Sequence, residues 1–294
     1  MMSNTQLLEL AGIPVVCSPP ANPELLAPLI VLWHGFGVPN SEEILATTLP
    51  LSQVQAWKVY LGLPLFGKRL PSGGIEEVMR RYVDDYVLKF LLPIVEQAAE
   101  ELPTVVESLQ AKFNIDVNKG IGLFGFSAGT EAVLLALTRS DVKVSAAVVA
   151  GVGRNLETFV NAYEQYFDTV KTQFPWIEET HKTYNWSKES EAAKQRLNFD
   201  TVIQQIARDS QPALLFVHGA QDEIFPVSDV EKMYAALKPH YQQHQAEERL
   251  SLEVFQHLKH QIDISAASDS PEISEDITAL ENAVANWFTK YLNY

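Results

Sequence analysis

The sequence predicts an α/β fold, a mostly parallel central sheet with helices on both faces, and three observations predict it. Short apolar runs rich in β-branched residues alternate with segments of helical period, which is the rhythm of parallel strands joined by helical crossovers. The 294 residues are enough for one large core, or a core with a modest insertion. Hydrophobic residues make up 47% and charged residues 20%, so there is apolar material to cover both sides of a sheet.

Taken in order, the runs place strands at Leu29–Trp33, Trp57–Leu61, Ile121–Phe126, Val144–Ala150, Ala213–His218 and Leu250–Phe255, with an edge strand near Gln6–Val16. Helical patterns lie near Ile75–Phe113, Ala128–Arg139, Val227–Leu237 and Glu272–Tyr291. The stretch Gly153–Gln211 breaks the rhythm, because it sets about sixty largely helical residues between two strands, too many for a simple crossover. It reads as a helical cap insertion, 153–211, in a core built from 1–152 and 212–294. Phe159, Tyr163, Phe167, Val170 and Phe174 form one aromatic and apolar stripe on it, followed by Trp176, Tyr184 and Trp186. Such a stripe packs on the core, lines a pocket, or meets a second copy of the chain as a homodimer contact.

The formal net charge of −15 gives nucleic acid and anionic lipid surfaces no electrostatic support as partners. With Cys17 alone, no intramolecular disulfide can form, and a reducing, cytoplasmic setting is expected. Met1–Pro20 lacks a basic leader and is interrupted by Pro14, and no apolar run reaches the roughly 18 residues of a membrane span. The seven histidines are scattered, with no metal-binding spacing, and Gly73-Gly74 is an isolated turn rather than a nucleotide loop, so no metal and no cofactor is expected.

The strongest local signal is Gly125-Phe126-Ser127-Ala128-Gly129, where a strand feeds a helix through a serine flanked by glycines. Small flanking residues permit a tight turn that lifts the serine hydroxyl above the sheet in a strained backbone conformation, the arrangement a nucleophile needs. The bare pentapeptide also occurs as a packing turn; the strand before it and the helix after it favour the nucleophile.

With three further segments, this motif resembles the α/β-hydrolase superfamily, particularly its esterase and dienelactone-hydrolase-like branches, over most of the chain. Leu32-Trp33-His34-Gly35-Phe36-Gly37 resembles the oxyanion loop, in which the Phe36 N–H would face the reacting carbonyl oxygen with the N–H of Ala128 as second donor. His34 reads as a structural brace of that loop. Phe216–Pro226 resembles the acid-bearing loop H-G-x-x-D-x-x-V-P and puts Asp222 at the acid position, with Glu223 as the neighbouring carboxylate. After the last strand, Val254–Ile262 offers His257 and His260; aligning the strand end favours His260, although the usual glycine is missing and Lys259 precedes the histidine. The order Ser127, Asp222, His260 is that of the superfamily.

The resemblance implies a serine hydrolase that cleaves a small or medium-sized carboxylic ester through an acyl-enzyme on Ser127, with 153–211 as lid and Phe159, Tyr163 and Phe167 as substrate-binding residues. A prolyl-oligopeptidase-like peptidase or a thioesterase would use the same triad, and a ligand-binding protein without activity could keep the same fold. Arg69 is either a carboxylate anchor for a peptide-like substrate or part of a solvated loop.

Overall fold

A computed structural model describes residues 5–206 and 211–292. Among the described residues, eight strands form one sheet: β1 (Gln6–Leu10), β2 (Ile13–Ser18), β3 (Leu29–Trp33), β4 (Trp57–Leu61), β5 (Ile121–Phe126), β6 (Val144–Ala150), β7 (Ala213–Gly219) and β8 (Leu250–Phe255). Their order across the sheet is β1-β2-β4-β3-β5-β6-β7-β8. From β4 to β8 every neighbouring pair is parallel, while β2 runs antiparallel to both β1 and β4. The edge strand expected near Gln6–Val16 is therefore a hairpin, turned at Ala11 and Gly12, both with positive φ.

The central strands bury both faces. In β3, Leu29, Val31 and Trp33 join one core, and Ile30 and Leu32 the other, as period-two geometry dictates. One face is covered by α1 (Glu42–Thr48) and, after the short α9 (Ile264–Ala267), by α10 (Pro271–Leu292). The opposite face carries α2 (Gly74–Asp84), α3 (Leu92–Gln110), α4 (Ala128–Arg139) and α8 (Val227–Gln243).

The helical pattern Ile75–Phe113 is not one helix. It stops at Asp84 and resumes as a π-helical turn, Tyr86–Leu91, which runs into α3. Asp85 sits between them in an extended conformation, and its Oδ1 accepts the Leu88 N–H at 2.9 Å. Two adjacent carboxylates oppose the negative end of α2, and one of them caps the helix that follows.

The segment between β6 and β7 holds α5 (Leu156–Gln173), α6 (Lys188–Ala193) and α7 (Phe199–Ile206); residues 207–210 of the expected insertion lie outside the described residues. Asn155 starts α5 by accepting the Thr158 N–H at 3.0 Å. α5 rests on the π-helical turn, whereas α7 packs on α4 and α8 in the core layer. Tyr184 ties the segment to the break after α2 by donating its hydroxyl to Asp85 Oδ1 at 2.7 Å. Among the described residues, no helix is long and apolar enough to cross a membrane.

Candidate active site

β5 passes into α4 through Ser127, whose φ of 50° and ψ of −120° lie outside the favoured regions for a side-chain-bearing residue. Packing holds it there. A Cβ on Gly125 would stand 2.2 Å from Gly129 O, so strand and helix can approach only because Gly125 has no side chain. The Ser127 N–H donates to Ala150 O at 2.9 Å, and the Thr130 hydroxyl and N–H both donate to Ser127 O.

The loop after β3 lies against this turn, with Gly35 so near that a Cβ on it would be 2.8 Å from Ser127 Cβ. His34 is fully buried; its Nδ1–H donates to Gly35 O at 2.8 Å and its Nε2 accepts the Leu63 N–H at 3.0 Å. Burial lowers its pKa to about 4, so the ring stays neutral and joins the ends of β3 and β4. Phe36 follows at the rim of a cleft shared with Ser127. Ala128 is the first residue of α4, where a backbone N–H has no intrahelical acceptor.

Beyond β7, Asp222 is held by its own turn: Oδ1 accepts the N–H groups of Ile224 and Phe225, each at 2.8 Å. Oδ2 accepts Nδ1–H of His260 at 2.8 Å, and His260 Nε2 lies 2.9 Å from Ser127 Oγ. With Nδ1 donating, Nε2 is the acceptor for the serine proton. Burial alone would raise the Asp222 carboxyl, but the hydrogen bond and charge of His260, with the Phe225 N–H, outweigh it and hold the group below the usual carboxylate range.

His218 lies behind Asp222, its Nε2 2.9 Å from Phe225 O and 3.4 Å from Asp222 Oδ2. Its pKa is lowered, chiefly by burial, and its Nδ1 is buried without a partner among the described residues.

The structure thus brings Ser127, Asp222 and His260 into one hydrogen-bonded chain. His257 is elsewhere, half exposed, its backbone N–H on Asp276, and Glu223 is exposed. Arg69 is neither solvated nor available as an anchor, since its guanidinium grips Glu101 with two hydrogen bonds of 3.0 and 2.6 Å.

Ser127 and His260 open onto a cleft of about 250 Å³. Phe159 and Tyr163 of α5 line it, but Phe167 does not; it is fully buried, with its ring 6.4 Å from Tyr163. The reason is helical drift. Each four-residue step overshoots a full turn by about 40°, so Phe167 lies about 80° round from Phe159, whereas Tyr166 and Val170 return to within about 20° and line the cleft instead.

The opposite wall, Tyr82, Tyr86 and Phe90, was not foreseen as part of a site. Their four-residue spacing was the available signal, and it is also that of any buried helical face.

Strand order and chemistry define the class: this chain is an α/β-hydrolase enzyme and a serine hydrolase. Residues 96–293 match the prolyl oligopeptidase family, and the chain belongs to that family. A curated Bacillus subtilis (strain 168) relative described as "Putative esterase YitV" is 26% identical over 216 residues, which is 73% of this chain and 76% of the relative.

Among solved structures, a Mycobacterium tuberculosis puromycin-hydrolyzing peptidase superposes with a TM-score of 0.65 at 16% identity, over 100% of this chain and 40% of its own. TT1662 from Thermus thermophilus gives 0.59 at 20% identity, covering 94% of this chain and 99% of that one. The esterase domain of a Rhodothermus marinus protein gives 0.56 at 16%, with 100% of both chains covered. At these identities the structures share the fold.

Proposed function

We propose that the chain hydrolyses a carboxylic ester of a small or medium-sized substrate through an acyl-enzyme on Ser127. The observation that carries this reading is the continuous chain from Ser127 Oγ through His260 to Asp222 at the floor of an open cleft. His260 Nε2 takes the serine proton as Oγ bonds to the ester carbonyl carbon, and Asp222 stabilises the imidazolium that forms. The N–H groups of Phe36 and Ala128 receive the oxyanion. As the carbonyl re-forms, the C–O bond to the alcohol breaks and His260 returns the proton to the leaving oxygen. Water, deprotonated by His260, then attacks the acyl-enzyme, and the acid leaves as Ser127 regains its proton. Segment 153–211 acts as the cap, with Phe159 and Tyr163 against the acyl group.

The cleft supports an ester over a peptide terminus, because among the described residues none of its lining side chains carries a fixed charge to hold an ammonium or carboxylate. Membership of the prolyl oligopeptidase family favours peptide hydrolysis as the second reading. A fluorophosphonate probe followed by a panel of p-nitrophenyl esters of graded acyl length, thioesters and aminoacyl p-nitroanilides separates them. Stoichiometric labelling of Ser127 and turnover of esters is the expected result. An inert serine would defeat the acyl-enzyme, and faster cleavage of the anilides would give the second reading precedence.

A further inference from the structure

Among the described residues, two phenols of the cleft wall have no hydrogen-bond partner in the protein. Tyr82 and Tyr86 are only 9% and 5% exposed, and both line the cleft that holds Ser127 and His260. Their rings are 5.4 Å apart, and each is 4.9 Å from the ring of Tyr163. The neighbouring phenols are satisfied, Tyr163 on His181 O and Tyr184 on Asp85. Among the described residues neither Tyr82 nor Tyr86 has a hydrogen-bond partner for its hydroxyl, and neither oxygen is fully enclosed, so water serves it in the free protein. Burial raises both above the ordinary tyrosine value, which keeps the hydroxyls protonated and able to donate.

A ligand that displaces this water without supplying an acceptor leaves the hydroxyl unpaired, which is unfavourable, whereas a substrate that supplies an acceptor avoids the penalty. A phenylalanine at either position would fill the same wall without that consequence. The cleft's size narrows the acceptor's carrier: an apolar cavity of about 150 Å³ accepts benzene, so about 250 Å³ takes an aromatic ring and a short linker. Phe36, Phe90 and Phe159 give such a ring faces and edges to pack on.

We propose that this cleft is an acyl subsite for an uncharged aryl group carrying an ether or hydroxyl oxygen, which the hydroxyls of Tyr82 and Tyr86 recognise. The inference rests on the acyl-enzyme reading above. Discrimination of this kind is effective because the site's own polar groups stay unpaired when the oxygen is missing.

The test compares p-nitrophenyl 3-(methoxyphenyl)propanoates with their ethylphenyl counterparts, in the meta and para series. Each pair has nearly equal volume and differs by oxygen against CH₂. Apolar burial alone favours the ethyl compound. The expected result is that the methoxy ester has the higher kcat/KM by about fivefold or more in at least one series, as one neutral hydrogen bond supplies, and that the ratio falls towards or below unity in Tyr82→Phe, Tyr86→Phe or the double variant. The ratio is read rather than the absolute rate, and fluorophosphonate labelling of each variant reports a folded site. A wild type that prefers the ethyl esters, or a preference that survives in the double variant, overturns the proposal while leaving the acyl-enzyme intact. A wild type whose Ser127 resists labelling overturns both.

Discussion

The two walls of the cleft are built in opposite ways. On one, Ser127, Asp222 and His260 sit at the ends of strands and are fixed by backbone: the serine by the tight passage from β5 to α4, and the aspartate by two N–H groups of its own turn. On the other, rings of α2, the π-helical turn and α5 pack at tilted and edge-to-face angles, with Tyr184 on Asp85 and Tyr163 on His181 as polar ties. A wall held by backbone fixes a reacting atom to a fraction of an ångström, whereas a wall of packed rings can change its surface without moving the chemistry. On the proposed reading, rate belongs to the first wall and substrate choice to the second.

The most direct way to break that division is Ser127→Ala. It should lower kcat by about four to six orders of magnitude, because members of such a triad act as a unit, while leaving the thermal midpoint nearly unchanged. Residual turnover above a hundredth of wild type would move the nucleophile elsewhere.

Asp222→Asn is next in size. The amide can keep the N–H groups of Ile224 and Phe225 on its oxygen but presents NH₂ to His260, which favours the tautomer that cannot accept the serine proton. A fall of about 10⁴ in kcat, with fluorophosphonate labelling slowed in parallel, is expected. A loss below tenfold would show that the acid does not set the tautomer.

A third test sharpens the account of the chemical wall, which is not free of conflict. Glu131, one turn along α4 from Ser127, is 4% exposed, its Oε1 has no partner among the described residues, and burial raises its pKa to about 8. The unfolded chain releases this proton near pH 4.3, so between about 4.3 and 8 the native state binds more protons than the unfolded one. Wild-type stability contributed by this group therefore falls as pH rises through that window and levels off above it. Glu131→Gln has no such dependence. Its thermal midpoint should match wild type near pH 4 and exceed it by several degrees at pH 8.5; a gap independent of pH would place the carboxyl in contact with water.

The first wall was legible in the sequence and the second was not. Gly125, Ser127 and Gly129 specify a turn by local sterics, and the strands around it are apolar runs whose bounds match closely, as at Ile121–Phe126 and Val144–Ala150. Asp222 and His260 were indicated by the resemblance to the acid-bearing and histidine loops, with His257 as the alternative base. Tyr82, Tyr86 and Phe90 give a spacing that any buried helix shares, and the cleft exists only because they meet Tyr163 from a distant segment. Phe167 turns away from the cleft for a related reason: a four-residue spacing names a stripe but not the angle at which it turns away from a neighbour. The break at Asp85 was missed because periodicity continues across it, and the cap that makes it is one side-chain hydrogen bond.

That break offers the smallest and most selective test. Tyr184→Phe removes the hydroxyl that meets Asp85 Oδ1 but leaves Asp85 capping the Leu88 N–H, so the fold should survive with a loss of about 1 kcal/mol. Asp85 separates Tyr82 from Tyr86 in the chain, and loosening its hold on the segment between β6 and β7 should let the aromatic wall shift while the turn at Ser127 and the turn at Asp222 stay in place. KM for aryl esters should then rise about threefold, with kcat within a factor of two. Such a split, measured by steady-state kinetics over the graded esters, would mean that the segment between β6 and β7 acts on binding alone. An equal fall in kcat with KM unchanged would mean that the aromatic wall also positions the scissile carbonyl, and the two walls would have to be treated as one.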